Sequence, residues 1–279
     1  MGLNKELIGK EYVQKPFTVT AEQATKYAEA TNDDNPRYRG DDMVCPPMFG
    51  VAWELLGMSA PLFDPKMNCD FARLVHGEHD MTYRRLVKPG EKITVKTIVK
   101  EILEKSSGEV LVVDLISTDD QNEIVTSTVS SYFIRGKSGG GKKEAKPQAK
   151  KEAPADPGAP AFEHQEVVAE DQSLRYADAS GDHNPIHKDE DFAKSVGLPG
   201  RILHGLASMA FNQKAAVNNL CGGDPAKLKR LKVRFAAPVL MGDTLTISAW
   251  KIEPGRYTLV TKNQQGKVVI KDTEAYVDE

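Results

Sequence analysis

Asp182 and His187 are the side chains of this sequence best placed to move protons together. They lie five positions apart in Tyr176-Ala177-Asp178-Ala179-Ser180-Gly181-Asp182-His183-Asn184-Pro185-Ile186-His187. A carboxylate and an imidazole meeting at one point can do general acid–base work. A helix would hold them apart by about 140°. Pro185 breaks a helix and biases Asn184 towards an extended backbone, and Gly181 permits a sharp bend just before Asp182. The stretch therefore predicts a helix ending near Ser180, then a turn that folds back, with Asn184 fixing the turn through its amide. Asp, Asn, Gly and Pro also build ordinary helix-capping turns, so the pattern gains weight only from the rest of the chain.

The elements around this stretch occur twice. Residues 17–38 align without gaps on residues 166–187. Val19, Gln23, Tyr27, Ala28, Ala30, Asp33, Asn35 and Pro36 recur as Val168, Gln172, Tyr176, Ala177, Ala179, Asp182, Asn184 and Pro185. Further on, the pattern from Tyr83 to Val95 matches that from Phe235 to Ile247, with Gly90 and Gly242 on the same turn. Such self-similarity marks a duplicated unit. Each copy reads as a short strand (about 11–19 and 163–169), a short helix with Thr20 or Glu170 near its start, and the Asp-x-Asn-Pro turn. A longer helical segment follows (about 49–59 and 202–220), then four strands. These are expected near 79–88, 91–104, 108–118 and 122–135, and near 228–238, 243–253, 256–264 and 267–277, where apolar and polar residues alternate. A helix followed by a run of antiparallel strands is an α+β unit with the helix on one face of the sheet.

Between the copies, residues 136–160 are rich in Gly, Pro, Ala and Lys and contain no large apolar residue. Such a segment buries no core and is expected to be a flexible linker spanning roughly 25–30 Å. The expected division is 1–135, linker 136–160, and 161–279. A basic nucleic-acid arm is the rival reading of the linker, and Glu144, Glu152 and Asp156 dilute its charge.

The 279 residues suit two domains, with 40% hydrophobic and 28% charged residues. A net charge of -3 gives no reason to expect nucleic acid or a membrane surface as partner. No apolar run is long enough to span a bilayer, and Met1 to Glu6 carries no apolar signal core. Cys45, Cys69 and Cys221 are scattered, without zinc-type pairing, and fit a reducing compartment; a cytoplasmic location is expected.

Gly205, in Ile202-Leu203-His204-Gly205, is a poor choice for a helix interior but useful at a helix start. There it lets another group approach free N–H donors and the positive end of the dipole, which attract an oxyanion. Close packing of the helix on the sheet explains it equally well.

Tyr-x-x-x-Ser-Gly-Asp-x-Asn-Pro-Ile-His, with Ala193 six residues on and then Ile-Leu-His-Gly, resembles the (R)-specific enoyl-CoA hydratase family, also called hydratase 2 or the MaoC-like dehydratases. The duplicated chain resembles the double hot dog members, in which one repeat keeps the motif and the other is degenerate. The resemblance covers nearly all of the chain except the linker. It implies two tandem hot dog domains, each an antiparallel sheet wrapped on a central helix, paired edge to edge as a pseudo-dimer, with further homo-oligomerisation open. It also implies reversible syn addition of water to a trans-2-enoyl thioester of CoA or acyl carrier protein, without metal or organic cofactor. On the matching positions, Asp182 would activate the water and His187 would position it and deliver the proton; the reverse division fits too. Asn184 would orient the loop and the Gly205 N–H would stabilise the enolate. In the first copy Asn32 replaces Gly181 and Tyr38 replaces His187, so no hydration is expected there.

His204 reads as structural or pocket-lining, and His183 as facing solvent. Arg230, Lys232 and Arg234 alternate on one strand and could meet the CoA phosphates together, or form a solvated strand face. Two other functions fit the same fold: an acyl-CoA thioesterase and a non-catalytic thioester-binding protein. A metal on Asp182, His183 and His187 is a further alternative, at a spacing that matches no familiar ligand set.

Overall fold

The structure is a computed structural model describing residues 2–136 and 158–278. The expected linker falls almost wholly outside the described residues. The first half runs β1 (Glu11–Val13), β2 (Phe17–Thr18), α1 (Ala21–Ala30), α2 (Gly50–Phe63), β3 (Leu74–Tyr83), β4 (Lys92–Lys105), β5 (Gly108–Thr118) and β6 (Ile124–Arg135). The second runs β7 (Phe162–Val167), α3 (Gln172–Ser180), α4 (Glu190–Ser195), α5 (Gly205–Leu220), β8 (Leu228–Phe235), β9 (Thr244–Glu253), β10 (Arg256–Lys262) and β11 (Val268–Val277).

The strands form one antiparallel sheet in the order β1-β4-β5-β6-β3-β8-β11-β10-β9-β7, with β2 also on β4. The halves join where β3 pairs with β8. Under the alignment that sets Tyr83 on Phe235, Asp80 falls on Lys232, and these two are partners across that seam. A local twofold axis therefore passes between them, as an internal pseudo-dimer requires. The aligned pair Tyr27 and Tyr176 also meets at this axis. Both rings are buried, and their hydroxyls are 3.4 Å apart.

Alternation carries the core. Leu111, Val113 and Leu115 on β5 and Leu245, Ile247 and Ala249 on β9 are all fully buried. Each large side chain of this kind contributes about 1.5–3 kcal/mol when removed from water. The helix α1 begins with a reciprocal cap: Thr20 Oγ1 accepts the Gln23 N–H at 3.2 Å and Gln23 Oε1 accepts the Thr20 N–H at 2.9 Å.

Several boundaries differ from expectation. The single strand expected at 11–19 is two, because Pro16 interrupts it and each piece pairs separately with β4. The helix α5 starts at Gly205 because Ile202 bridges Leu240 and the Leu203 N–H bonds the Val239 carbonyl at 2.8 Å. The short α4 is additional. The largest shift is in β3, expected at 79–88 and found at Leu74–Tyr83. Gly77 interrupts the alternation in the sequence but does not end the strand. The pairing of β3 with β6 skips register between His76 and Glu78, so Gly77 sits in a bulge.

Candidate active site

The turn forms as its sequence dictates. Gly181 caps α3 in the left-handed region at φ 83°, its N–H bonding the Ala177 carbonyl at 2.9 Å. Asp182 Oδ1 then accepts the Asn184 N–H at 3.1 Å, and Asn184 Oδ1 accepts the Ile186 N–H at 3.3 Å. One 3-10 turn, Pro185–His187, follows and brings His187 back beneath Asp182. Asn184 thus fixes the turn through its side chain.

His187 is buried, and its Nδ1 lies 2.9 Å from the Ile202 carbonyl. A carbonyl carries no hydrogen, so Nδ1 is the donor and the neutral ring keeps a bare Nε2. His204 stacks on it with ring centroids 3.7 Å apart, and its own Nε2–H donates to the Asp182 carbonyl at 2.9 Å. His204 is therefore the N-cap residue of α5 and a brace for both acid–base candidates. Burial lowers both imidazole pKa values. For His187 the Asp182 charge and the Ile202 carbonyl act in the opposite direction, while His204 is pushed down to about 2 by burial and then by His187.

A carboxylate oxygen of Asp182 and one nitrogen each of His187 and His204 lie within 4.8 Å of one another. These residue types can hold a divalent ion, but the set differs from the one expected. His183 is exposed, its Nδ1 3.1 Å from Lys188 Nζ, and His204 takes its place in the cluster.

Gly205 is the first residue of α5, and no acceptor among the described residues takes its N–H. A Cβ there would come within 3.1 Å of the Phe235 ring. The glycine thus serves close packing and an open donor at a helix start together.

The first half keeps the turn without its imidazole. Asn32 holds the left-handed position of Gly181 at φ 52°. Asp33 Oδ1 accepts the Asn35 N–H at 3.2 Å and Asn35 Oδ1 the Arg37 N–H at 2.9 Å, repeating the bonds of the second turn. Tyr38 stands fully buried where His187 stands in the other half.

Arg230, Lys232 and Arg234 do share one side of β8, opposite the buried Leu231 and Val233, on the outer face of the sheet. Arg230 is held by Asp80 through two bonds of 2.7 and 2.6 Å. Arg234 lies 3.8 Å from Glu78 and 3.7 Å from Asp272. Lys232 faces Asp80 on one side and Glu274 on the other. The structure does not bring the three to the Asp182–His187 turn.

Residues of the first half that the sequence reading passed over do reach the site. Leu55 on α2 comes within 3.3 Å of where a Gly181 Cβ would be. The His76 ring stands 5.1 Å from that of Phe235 and 5.0 Å from that of Tyr132, and it feels the Asp182 charge. The signal that could have found His76 is the lone Gly77 beside it, a mark of a bulge.

Two helix-bearing halves of one antiparallel sheet, with an Asp-x-Asn-Pro-x-His turn in one half, define a double hot dog protein of the dehydratase class. A MaoC-like domain model matches residues 147–274, and the model of a FAS1-like dehydratase domain region matches residues 6–128. A 3-hydroxyacyl-thioester dehydratase Y of Mycobacterium tuberculosis is 31% identical over 82% of this chain and 78% of its own length. A mouse peroxisomal multifunctional enzyme type 2 is 34% identical over 86% of this chain. The chain spans only 33% of that enzyme's length. The crystal structure of a MaoC-like dehydratase from Phytophthora capsici superposes with a TM-score of 0.84, at 26% identity, over 99% of both chains. The chain belongs to the MaoC-like dehydratase family.

Proposed function

We propose that the chain adds water reversibly to a trans-2-enoyl thioester, giving the (R)-3-hydroxyacyl thioester. One observation carries this reading: a carboxylate and a neutral imidazole with a bare Nε2 share one turn beside an open helix N-terminus. The names of the Mycobacterium relative, a 3-hydroxyacyl-thioester dehydratase, and of an enoyl-CoA hydratase 2 of Dictyostelium discoideum support it.

The tautomer set by the Ile202 carbonyl favours His187 as the group that takes the proton. A water held between His187 Nε2 and Asp182 gives one proton to Nε2 as its oxygen bonds to C3. The C2–C3 π electrons move to C2 and the thioester carbonyl, and the enolate oxygen lies on the Gly205 N–H. His187 then returns the proton to C2 on the same face, so the addition is syn and atoms balance. Asp182 accepts a hydrogen bond from the water's second hydrogen, which stays on the new hydroxyl, and its charge offsets the transient imidazolium. Donors like the Gly205 N–H are commonly worth about 2.7–4 kcal/mol in the transition state. We assign Asp182 and His187 to chemistry, Asn184 to the turn, and His204 to positioning.

We further propose one active half, 161–279, and a supporting half, 1–135. CoA and acyl carrier protein are both open as the carrier. Cys45, Cys69 and Cys221 are free, which suits a reducing compartment such as the cytoplasm.

Loss of enoyl-thioester absorbance, with product chirality assigned, tests the proposal. Thiol release without that loss would make the protein a thioesterase, and binding without turnover a thioester-binding protein. Activity is expected to survive exhaustive chelation; restoration by a divalent ion alone would make Asp182, His187 and His204 a metal centre.

A further inference from the structure

We propose that Asp243, on the turn before β9, is a positioning residue that holds His187 in the tautomer needed for the addition of water. The inference rests on the hydratase reading and deepens it.

His187 owes its bare Nε2 to one acceptor, the Ile202 carbonyl 2.9 Å from Nδ1. With that carbonyl displaced, either ring nitrogen could carry the proton, and a neutral ring protonated at Nε2 takes no proton from water there. What holds Ile202 therefore bears on the chemistry. Ile202 lies outside every helix and strand and is held from two sides. Its N–H donates to the Ile186 carbonyl at 3.2 Å, within the Asp182–His187 turn. On the other side it bridges Leu240, and the next N–H, that of Leu203, donates to the Val239 carbonyl at 2.8 Å.

Asp243 fixes the Val239–Leu240 segment. It is buried, Oδ2 accepts the Leu240 N–H at 2.9 Å, and Oδ1 accepts from Gln264 Nε2 at 2.9 Å. Hydrogen bonds to a carboxylate are roughly twice as strong as neutral ones, which makes this a firm tether. The Asp243 carbonyl also accepts the Val168 N–H at 2.8 Å, and the Gly242 N–H donates to the Val168 carbonyl at 2.9 Å. Val168 leads into α3, whose cap at Gly181 begins the turn that carries Asp182. Asp243 thus ties the approach to Asp182 to the segment that holds the His187 acceptor.

The first half carries the same arrangement without the imidazole. Under the alignment that sets Gly90 on Gly242, Glu91 falls on Asp243 and Lys88 on Leu240. Glu91 Oε1 accepts the Lys88 N–H at 2.7 Å. The Cys45 N–H donates to the Val87 carbonyl at 2.8 Å and the Val44 N–H to the Arg37 carbonyl at 2.9 Å. There the frame surrounds Tyr38. A purely structural role would be common to Asp243 and Glu91, whereas a role through His187 belongs to Asp243 alone.

The test compares wild type with Asp243→Asn, Gln264→Leu and Glu91→Gln. Nitrogen-15 NMR reads which His187 nitrogen carries the proton, and kcat, KM for crotonyl-CoA and melting temperature are measured beside it. Wild type is expected to show Nδ1–H. Asp243→Asn should populate Nε2–H and lose at least about tenfold in kcat, with KM within about threefold. Glu91→Gln should lower the melting temperature and leave the His187 tautomer and kcat as in wild type. Gln264 is exposed, so its variant keeps the fold and should move tautomer and kcat in the same direction by less. A fall in kcat with His187 still Nδ1–H would overturn the inference, as would equal kcat losses in Asp243→Asn and Glu91→Gln. If Asp243→Asn does not fold, an unchanged tautomer in Gln264→Leu overturns it. Hydration by wild type with an unmoved tautomer in the variants sinks this inference alone, whereas no hydration of any thioester sinks the hydratase reading beneath it.

Discussion

Gln213, on α5 of the second half, donates from Nε2 to Asp33 Oδ2 at 3.2 Å across the boundary between the halves. The same nitrogen lies 3.5 Å from the Tyr38 hydroxyl. The turn of the first half is therefore contacted at its carboxylate by a side chain of the second half. Burial raises the Asp33 pKa, and the bonds from Asn35 and Gln213 oppose that shift. This carboxyl is a structural acceptor.

Asp33→Asn should accordingly leave kcat within a few fold of wild type, whereas Asp182→Asn should cost at least about a hundredfold. Steady-state hydration of one thioester by the two variants checks this. Equal losses would show that both halves are catalytic.

The duplication, the α+β units and the Asp182–His187 turn were legible because each rests on local rules. Gly181 and Pro185 leave the backbone few choices, and apolar alternation sets which strand face is buried. What the sequence hid is what depends on pairing partners. Gly77 looks like the end of a strand, and only the register against β6 shows a bulge that carries His76 inward. Arg230 looks like a free cation, and only the seam shows Asp80 holding it. The expected boundary at 202 failed because Ile202 is captured by Leu240, a contact 38 positions away that no local window contains.

The pH profile has a definite sign. Burial disfavours the charged imidazole of His187, so its pKa lies below the ordinary 6.5 despite the nearby Asp182 charge. In the proposed mechanism the neutral ring is the active form, so activity is expected to be lost as pH falls through that lowered value. The acid limb of kcat/KM should therefore lie below 6.5, and a limb above it would contradict a buried basic His187. In Asp182→Asn the opposing charge is gone, so the ring should titrate lower still in an NMR titration.

Glu54 supplies a separate test in the first half. It is fully buried in α2, where Oε1 accepts from Ser117, Thr126 and Thr128 while Oε2 has no hydrogen-bond partner among the described residues. Burial raises its pKa from 4.5 to about 7 against the pull of those hydroxyls. Between these values the folded protein binds a proton that the unfolded chain has released. Stability therefore declines as pH rises through the window, and the whole deficit is present above about pH 7. Glu54→Gln removes the titration. The melting temperature of the variant relative to wild type should rise between about pH 4.5 and about pH 8, and a constant difference would mean that Glu54 is ionised throughout.

His187 and Asp182 are proposed to hold one water, so removing either should break the same transition-state arrangement. Groups that act as a unit give strongly non-additive losses. Acid–base contributions are typically about 10²–10⁴-fold, so His187→Ala and Asp182→Ala should each cost at least roughly a hundredfold in kcat. The double variant should be little worse than the poorer single one. The fold should survive Asp182→Ala, since Asp182 is only half-buried and the Gly181 cap and the Asn184 side-chain bond remain. His187→Ala removes a buried ring stacked on His204, and His187→Gln is the control that keeps more of that volume. Thioester binding should weaken far less than kcat, because neither residue holds the carrier. Circular dichroism, binding of a substrate analogue and single-turnover rates on the variants test each part. Multiplicative losses would assign the two residues to different steps, and a near-normal kcat in His187→Ala would remove the mechanism.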